Sequence, residues 1–150
     1  MQVLHLRFFF LLIELLLQLV SSVFHNRMNK GMKLQTDPTI LYGLSLLQNK
    51  LVMSITKADI TRPTTYNTYV IKGLPPGPIS NPGREALEAS FQPKKTNYLF
   101  FVSRNDGTTV FSEAYKDHNQ AVQKFQVDPR GRDGKSWRQL QEQAQPAPKK

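Results

Sequence analysis

Gly31-Met32-Lys33-Leu34-Gln35-Thr36-Asp37-Pro38-Thr39 is the stretch where one helical pattern stops and another starts. Gly31 is a natural stop, because glycine takes the left-handed conformation that closes a helix without a Cβ penalty. Asp37 followed by Pro38 is a natural start. The aspartate can cap the first turn, and proline at the first helical position gives up only an N–H that has no intrahelical partner. The apolar spacing on both sides agrees. Upstream, Val20, Val23, Phe24 and Met28 recur at three- and four-residue intervals and predict a helix over 19–30, with Ser21, His25, Asn26 and Asn29 on its other side. Downstream, Ile40, Leu41 and Leu44 predict the inward face of the next helix.

Further along, the patterns change. Asp59-Ile60-Thr61-Arg62-Pro63 reads as a turn, and Tyr66-Asn67-Thr68-Tyr69-Val70-Ile71 has the β-favouring composition of a short strand. Residues 73–83, rich in proline and glycine, exclude a regular helix or a central strand, since proline fixes φ and lacks a donor. Between folded elements such a stretch suits a rigid cleft wall. Asn81-Pro82 then predicts another helix start, with Leu87 and Phe91 as its buried pair. Tyr98-Leu99-Phe100-Phe101-Val102 predicts a buried strand, Asn105-Asp106-Gly107 a hairpin turn, and Thr108 to Phe111 the returning strand. A last helix is expected from Glu113 to Gln126, with Tyr115, His118, Val122 and Phe125 as its stripe. From Val127 onward the periodicity stops, and residues 127–150 read as a disordered basic tail. The fold class is α+β, with about three helices and a small hairpin sheet.

The bulk numbers are compatible with one domain of modest core: 150 residues, 39% hydrophobic and 21% charged. With no cysteine, disulfides, thiolate metal sites and cysteine nucleophiles are excluded. The net charge of +9 raises anionic partners, either nucleic acid or the polymers of a membrane or wall. The charge is spread, however, and no helix face collects a basic stripe. Residues 1–19 form an atypical hydrophobic leader. Phe8 to Ile13 and Leu15 to Leu17 follow Arg7, and Glu14 and Gln18 interrupt the run. That is short and flawed for a membrane span, which needs about 20 largely apolar residues. Two readings of the leader stay open: a signal or anchor segment, and a mis-set start joined to a genuine domain.

Several chemistries fail on spacing. Gly134-Lys135-Ser136 ends like a phosphate-binding loop, but Pro129 stands where the pattern needs glycine. His5, His25 and His118 form no metal-binding pair at helical spacing, so no metal site is assigned. No serine sits in a nucleophile elbow, and no interleaving of aromatic and basic residues suggests RNA. Nucleic acid is therefore not the expected partner.

Three segments taken in order carry a more specific signal. The first runs from Val20-Ser21-Ser22-Val23-Phe24-His25-Asn26-Arg27 through Gly31–Thr39 to Tyr42-Gly43. The second joins Tyr66-Asn67-Thr68-Tyr69 to Gly73-Leu74-Pro75-Pro76-Gly77-Pro78-Ile79-Ser80-Asn81-Pro82-Gly83. The third comprises Ala86-Leu87, Pro93, Lys95-Thr96, Tyr98 to Val102, and His118-Asn119. Over residues 20–126 this resembles the C-terminal part of the catalytic domain in the YceG-like family of endolytic murein transglycosylases.

The resemblance implies non-hydrolytic cleavage of peptidoglycan between N-acetylmuramic acid and N-acetylglucosamine, leaving 1,6-anhydro ends. It implies no cofactor. It implies peptidoglycan glycan strands as the partner, with the cell-wall synthesis machinery and a membrane reached through the family's anchor. The implied location is the periplasmic face of the bacterial inner membrane. In such chemistry a glutamic acid protonates the glycosidic oxygen, then accepts the proton of the sugar's own C6 hydroxyl as that oxygen attacks C1. No water enters, so the second carboxylate of a hydrolase is not needed. The family's glutamate lies in an Ile-Val-Glu-Lys-Glu-like motif upstream of the Val20 helix. Here that place falls near Phe8 to Phe10, and Glu14 is the sole acid in residues 1–36 but lacks matching flanks. The expectation is a truncated domain without its catalytic glutamate, either an enzyme of this class or an inactive glycan-binding remnant. Among supporting residues, the resemblance points to Gln35, Asp37, Tyr66, Asn67, Tyr69 and Asn81 for sugar binding. Asp37 and Asn81 have helix capping as their alternative role, and the two tyrosines a place in the core.

Overall fold

In a computed structural model of the chain, the structure describes the backbone of residues 2–128 and the side chains of residues 11–128. The expected tail lies outside the described residues from residue 129 on. The chain forms two compact units that divide between Thr96 and Asn97.

The first unit is helical. α1 spans Gln2–Asn29, α2 Asp37–Gln48, α3 Lys57–Ile60 and α4 Arg84–Phe91. The predicted 19–30 helix is thus the C-terminal part of a longer one, continuous with the leader. No glycine or proline interrupts residues 1–30, so propagating the helix costs little per residue once it is nucleated. Among the described residues, no helix is long and apolar enough to cross a membrane. Gly31 ends α1 as expected: with φ +63°, its N–H donates to the Met28 carbonyl at 3.0 Å and the Met32 N–H to the Arg27 carbonyl at 2.8 Å. These two bonds satisfy carbonyls that the helix end leaves open.

α2 begins one residue before the expected point. Thr36 is the N-cap with extended backbone, Asp37 is already helical, and no side chain caps the end. Ile40 and Leu44 are fully buried, as the periodicity predicts. Tyr66–Ile71 is not a strand. The Asn67 side-chain oxygen accepts the Tyr69 N–H at 2.9 Å, and the Asn67 carbonyl accepts from Val70 and Ile71, both at 2.9 Å. These local bonds turn the backbone and compete with any ladder. The proline-rich 73–83 segment is irregular throughout.

α4 starts after Gly83 rather than at Asn81-Pro82. Its buried residue is Ala89, whereas Leu87 and Phe91 are exposed. The side of α4 that carries Ala89 and Ser90 meets α1. His25 Nε2 lies 2.9 Å from the Ser90 carbonyl, and small side chains let the two helices approach.

In the second unit, β1 (Phe100–Ser103) and β2 (Thr109–Ser112) pair antiparallel with Phe100 opposite Ser112 and Phe101 opposite Phe111. The hairpin is as expected, but the strand is not buried on both faces: Val102 is buried, Phe101 exposed. The expected Glu113–Gln126 helix is shorter. α5 covers Tyr115–Val122 and gives way to a π-helical turn, Gln123–Val127. Asn105 Nδ2 donates to the Phe125 carbonyl at 2.7 Å and Gln126 Nε2 to the Ser103 carbonyl at 2.8 Å, fastening that turn to the hairpin. Ala121 is buried in α5, Tyr115 is exposed, and His118 stacks on Phe100 with centroids 5.1 Å apart.

Candidate functional site

The link between α1 and α2 folds around a buried cation. Arg27, in the last turn of α1, is 8% exposed. Its Nη1 donates to the carbonyls of Lys33 at 3.1 Å and Leu34 at 3.0 Å, and to Gln35 Oε1 at 3.3 Å. A buried guanidinium is costly unless its donors find acceptors, and here two loop carbonyls and the Gln35 amide oxygen accept from Nη1. Burial pulls Arg27 below its ordinary pKa, and the nearby Tyr69 hydroxyl acts the other way.

Gln35 sits where Arg27 directs the loop. Its backbone is left-handed, with φ +53°, a region that costs a non-glycine residue about 1–2 kcal/mol. The Gln35 N–H donates to the Thr68 carbonyl at 3.2 Å, which holds that conformation. Thr68, fully buried, ties the two segments together. Its hydroxyl accepts the Thr36 N–H at 3.0 Å and lies 2.8 Å from Thr39 Oγ1, while Thr39 Oγ1 donates to the Thr36 carbonyl at 2.6 Å. Next in sequence, the Tyr69 hydroxyl donates to Asp37 Oδ1 at 2.7 Å. Burial first, then the Asp37 hydrogen bond and charge, push Tyr69 above the usual tyrosine range, with Arg27 opposing.

Of the six side chains selected in the sequence, Gln35, Asp37 and Tyr69 therefore share one polar hub. Asn67 supports it from beneath. Its side chain is fully buried, and Nδ2 reaches the carbonyls of Asp59 at 3.3 Å, Ile60 at 3.0 Å and Arg62 at 2.8 Å. Tyr66 packs its ring against Tyr42, centroids 4.7 Å apart. Asn81 is exposed on the proline-rich segment, with no hydrogen bond to the other five among the described residues. Glu14 is exposed on α1. It is thirteen residues before Arg27, about 20 Å along the helix at the usual rise.

Arg27, Thr39 and Thr68 were not selected. Arg27 had a usable signal, a basic side chain in a helix's last turn just before a glycine stop, where open carbonyls collect. The threonines had none, because their role arises from pairing residues far apart in sequence. Chemically the hub offers an amide, a carboxylate and a phenol on a base tied together by hydrogen bonds. Among the described residues no three histidine, aspartate or glutamate side chains converge as metal ligands.

The family described as "YceG-like family" matches residues 17–124. The chain is 42% identical over 106 residues to the endolytic murein transglycosylase of Bacillus subtilis strain 168, covering 71% of this chain and 28% of that protein. It is 34% identical over 107 residues to that of Streptococcus pneumoniae (strain D39), covering 70% and 19% respectively. The solved structure of a YceG-like protein from Listeria monocytogenes superposes with a TM-score of 0.61 at 42% identity, covering 69% of this chain and 32% of that one. The chain thus spans less than a third of the length of these relatives. The matched region takes in parts of both units and every residue of the hub, and the chain belongs to the YceG-like family.

Proposed function

We propose that this chain supplies the glycan-holding part of a peptidoglycan lytic transglycosylase, and that by itself it binds a strand without cutting it. The family membership and the names of its relatives support the transglycosylase reading. The observation that carries the binding role is the joining of Gln35, Asp37 and Tyr69 on one hub anchored by Arg27 and Thr68. Amide, carboxylate and phenol on a fixed base suit a polar, hydroxyl-rich ligand, and a rigid base spares the ordering cost of binding.

The non-cutting part of this proposal is supported by where two carboxyl groups lie. General acid catalysis needs an acid within hydrogen-bond reach of the glycosidic oxygen. Glu14 projects from α1 about 20 Å away along the helix. Asp37 Oδ1 is engaged as the acceptor of the Tyr69 hydroxyl. A glycan substrate sets the working location outside the cytoplasmic membrane, facing the wall.

The test is a digest of purified murein glycan strands with this chain and with Glu14→Gln, read by mass spectrometry for 1,6-anhydro ends, beside a co-sedimentation assay for binding. Binding without anhydro ends is expected from both proteins. Anhydro ends that vanish in Glu14→Gln would show Glu14 acting as the acid and overturn the non-cutting reading. Failure of the folded chain to bind strands would overturn the binding role.

A further inference from the structure

The geometry points to Arg27 as a positioning residue that fixes the Gln35 amide as a hydrogen-bond donor for the acetamido carbonyl of an N-acetylated sugar, an inference that rests on the glycan-binding reading above. A guanidinium carries donors and no acceptor. The Gln35 atom 3.3 Å from Arg27 Nη1 must therefore be the oxygen, Oε1. The same nitrogen also donates to the Lys33 and Leu34 carbonyls. Turning the amide over would set its NH2 against a buried cation. The Gln35 NH2 is thus directed away from Arg27, and Gln35 as a whole is exposed. Its backbone is held in the left-handed region by the bond to the Thr68 carbonyl, which limits where the side chain can go.

A donor of fixed polarity reads the ligand. A sugar hydroxyl can donate or accept, so it satisfies either face of an amide and discriminates little. An acetamido carbonyl only accepts, and so requires the donor face that Arg27 leaves outward. Removing the acetyl group leaves an amine that is protonated at neutral pH. That ammonium brings only donors, so it cannot accept from the outward Gln35 NH2. A site built for one hydrogen-bonding polarity rejects a ligand of the other more strongly than it rejects a change in apolar size.

The experiment measures binding of the full chain to peptide-free murein strands before and after chemical de-N-acetylation, and takes the affinity ratio. The parent is expected to prefer acetylated strands by about tenfold, the scale of one well-made hydrogen bond. Gln35→Glu keeps an acceptor for Arg27 and removes the outward donors. It is expected to bring the ratio to about one or below with thermal stability retained. Arg27→Lys, which keeps the charge with fewer donors, is expected to lower the ratio in a folded protein. A folded Gln35→Glu that keeps the parent's ratio would overturn the donor assignment, and a folded Arg27→Lys with an unchanged ratio would overturn the positioning role. Equal binding of both strands by the parent would overturn this inference and leave the glycan-binding reading standing. Binding of neither would overturn both.

Discussion

Tyr69 shows how one hydroxyl couples the hub to pH. Its O–H donates to Asp37 Oδ1 at 2.7 Å, and its ring is half-buried. Burial, then the Asp37 bond and charge, hold its pKa above the ordinary value, which is about 10 for an unfolded tyrosine. Between the unfolded and folded values the native state binds the extra proton. Stability is therefore fully present below about pH 10 and falls as pH rises above it. Tyr69→Phe removes both the hydrogen bond and the titration. It is expected to cost about 1 kcal/mol near neutral pH and to flatten the decline between about pH 10 and 11.5. Urea titrations of both proteins across that range check this; parallel pH profiles would show that Tyr69 does not carry the effect. Its neighbour Asn67 marks a limit of what sequence reading gives at this scale. The family resemblance points to Asn67 for sugar binding, and only tertiary placement reveals that its Nδ2 donates to the Asp59, Ile60 and Arg62 carbonyls.

At the scale of elements, α2 and the 64–66 segment meet at Gly43. A Cβ on Gly43 would collide with Thr64 Oγ1 and stand 3.3 Å from Tyr66 Cβ. In an open helix, glycine to alanine gains about 1 kcal/mol; here overpacking costs about 1–3 kcal/mol and reverses the sign. Gly43→Ala is expected to lower the urea midpoint. Gly43→Ala with Thr64→Ala should lose less than the sum of the single changes, because the two side chains share the collision. Strict additivity would place the strain elsewhere. The elements best read from sequence were those fixed by backbone chemistry. Gly31 and the Asp37-Pro38 pair bounded two helices to within a residue, and Asn105-Asp106-Gly107 placed the hairpin. Periodicity was weaker. It identified α4 as a helix, but Leu87 and Phe91 are exposed because α1 lies against the Ala89 side instead. Which face has a neighbour is a tertiary fact. The Tyr66–Ile71 stretch failed for another reason: β-favouring side chains were overruled by the local bonds of Asn67.

For the whole molecule, the question is whether net charge or the hub governs what the protein binds. The charge of +9 is distributed, with eight basic and three acidic residues in 1–83 and twelve and eight in 84–150. Spread charge of this kind attracts any polyanion, but it does so through counterion release and without selectivity. The buried cation of the hub, Arg27, is 8% exposed and cannot contact a polyanion at the surface directly. The hub presents the Gln35 amide, the Tyr69 phenol and the Asp37 carboxylate, which an uncharged sugar meets through hydrogen bonds that depend little on ionic strength. The two modes therefore separate in a salt titration. Duplex DNA binding is expected to be weak and to fall steeply between about 50 and 200 mM salt. Binding of an uncharged N-acetylglucosamine oligomer is expected to change by less than about twofold over the same range, since no ion pair with the ligand is screened. Fluorescence anisotropy of both labelled ligands against the full chain measures this. DNA binding that survives high salt and selects one sequence would make the protein a nucleic-acid reader. Oligomer binding that collapses with salt would mean that surface charge, and not the Gln35–Asp37–Tyr69 hub, holds the glycan.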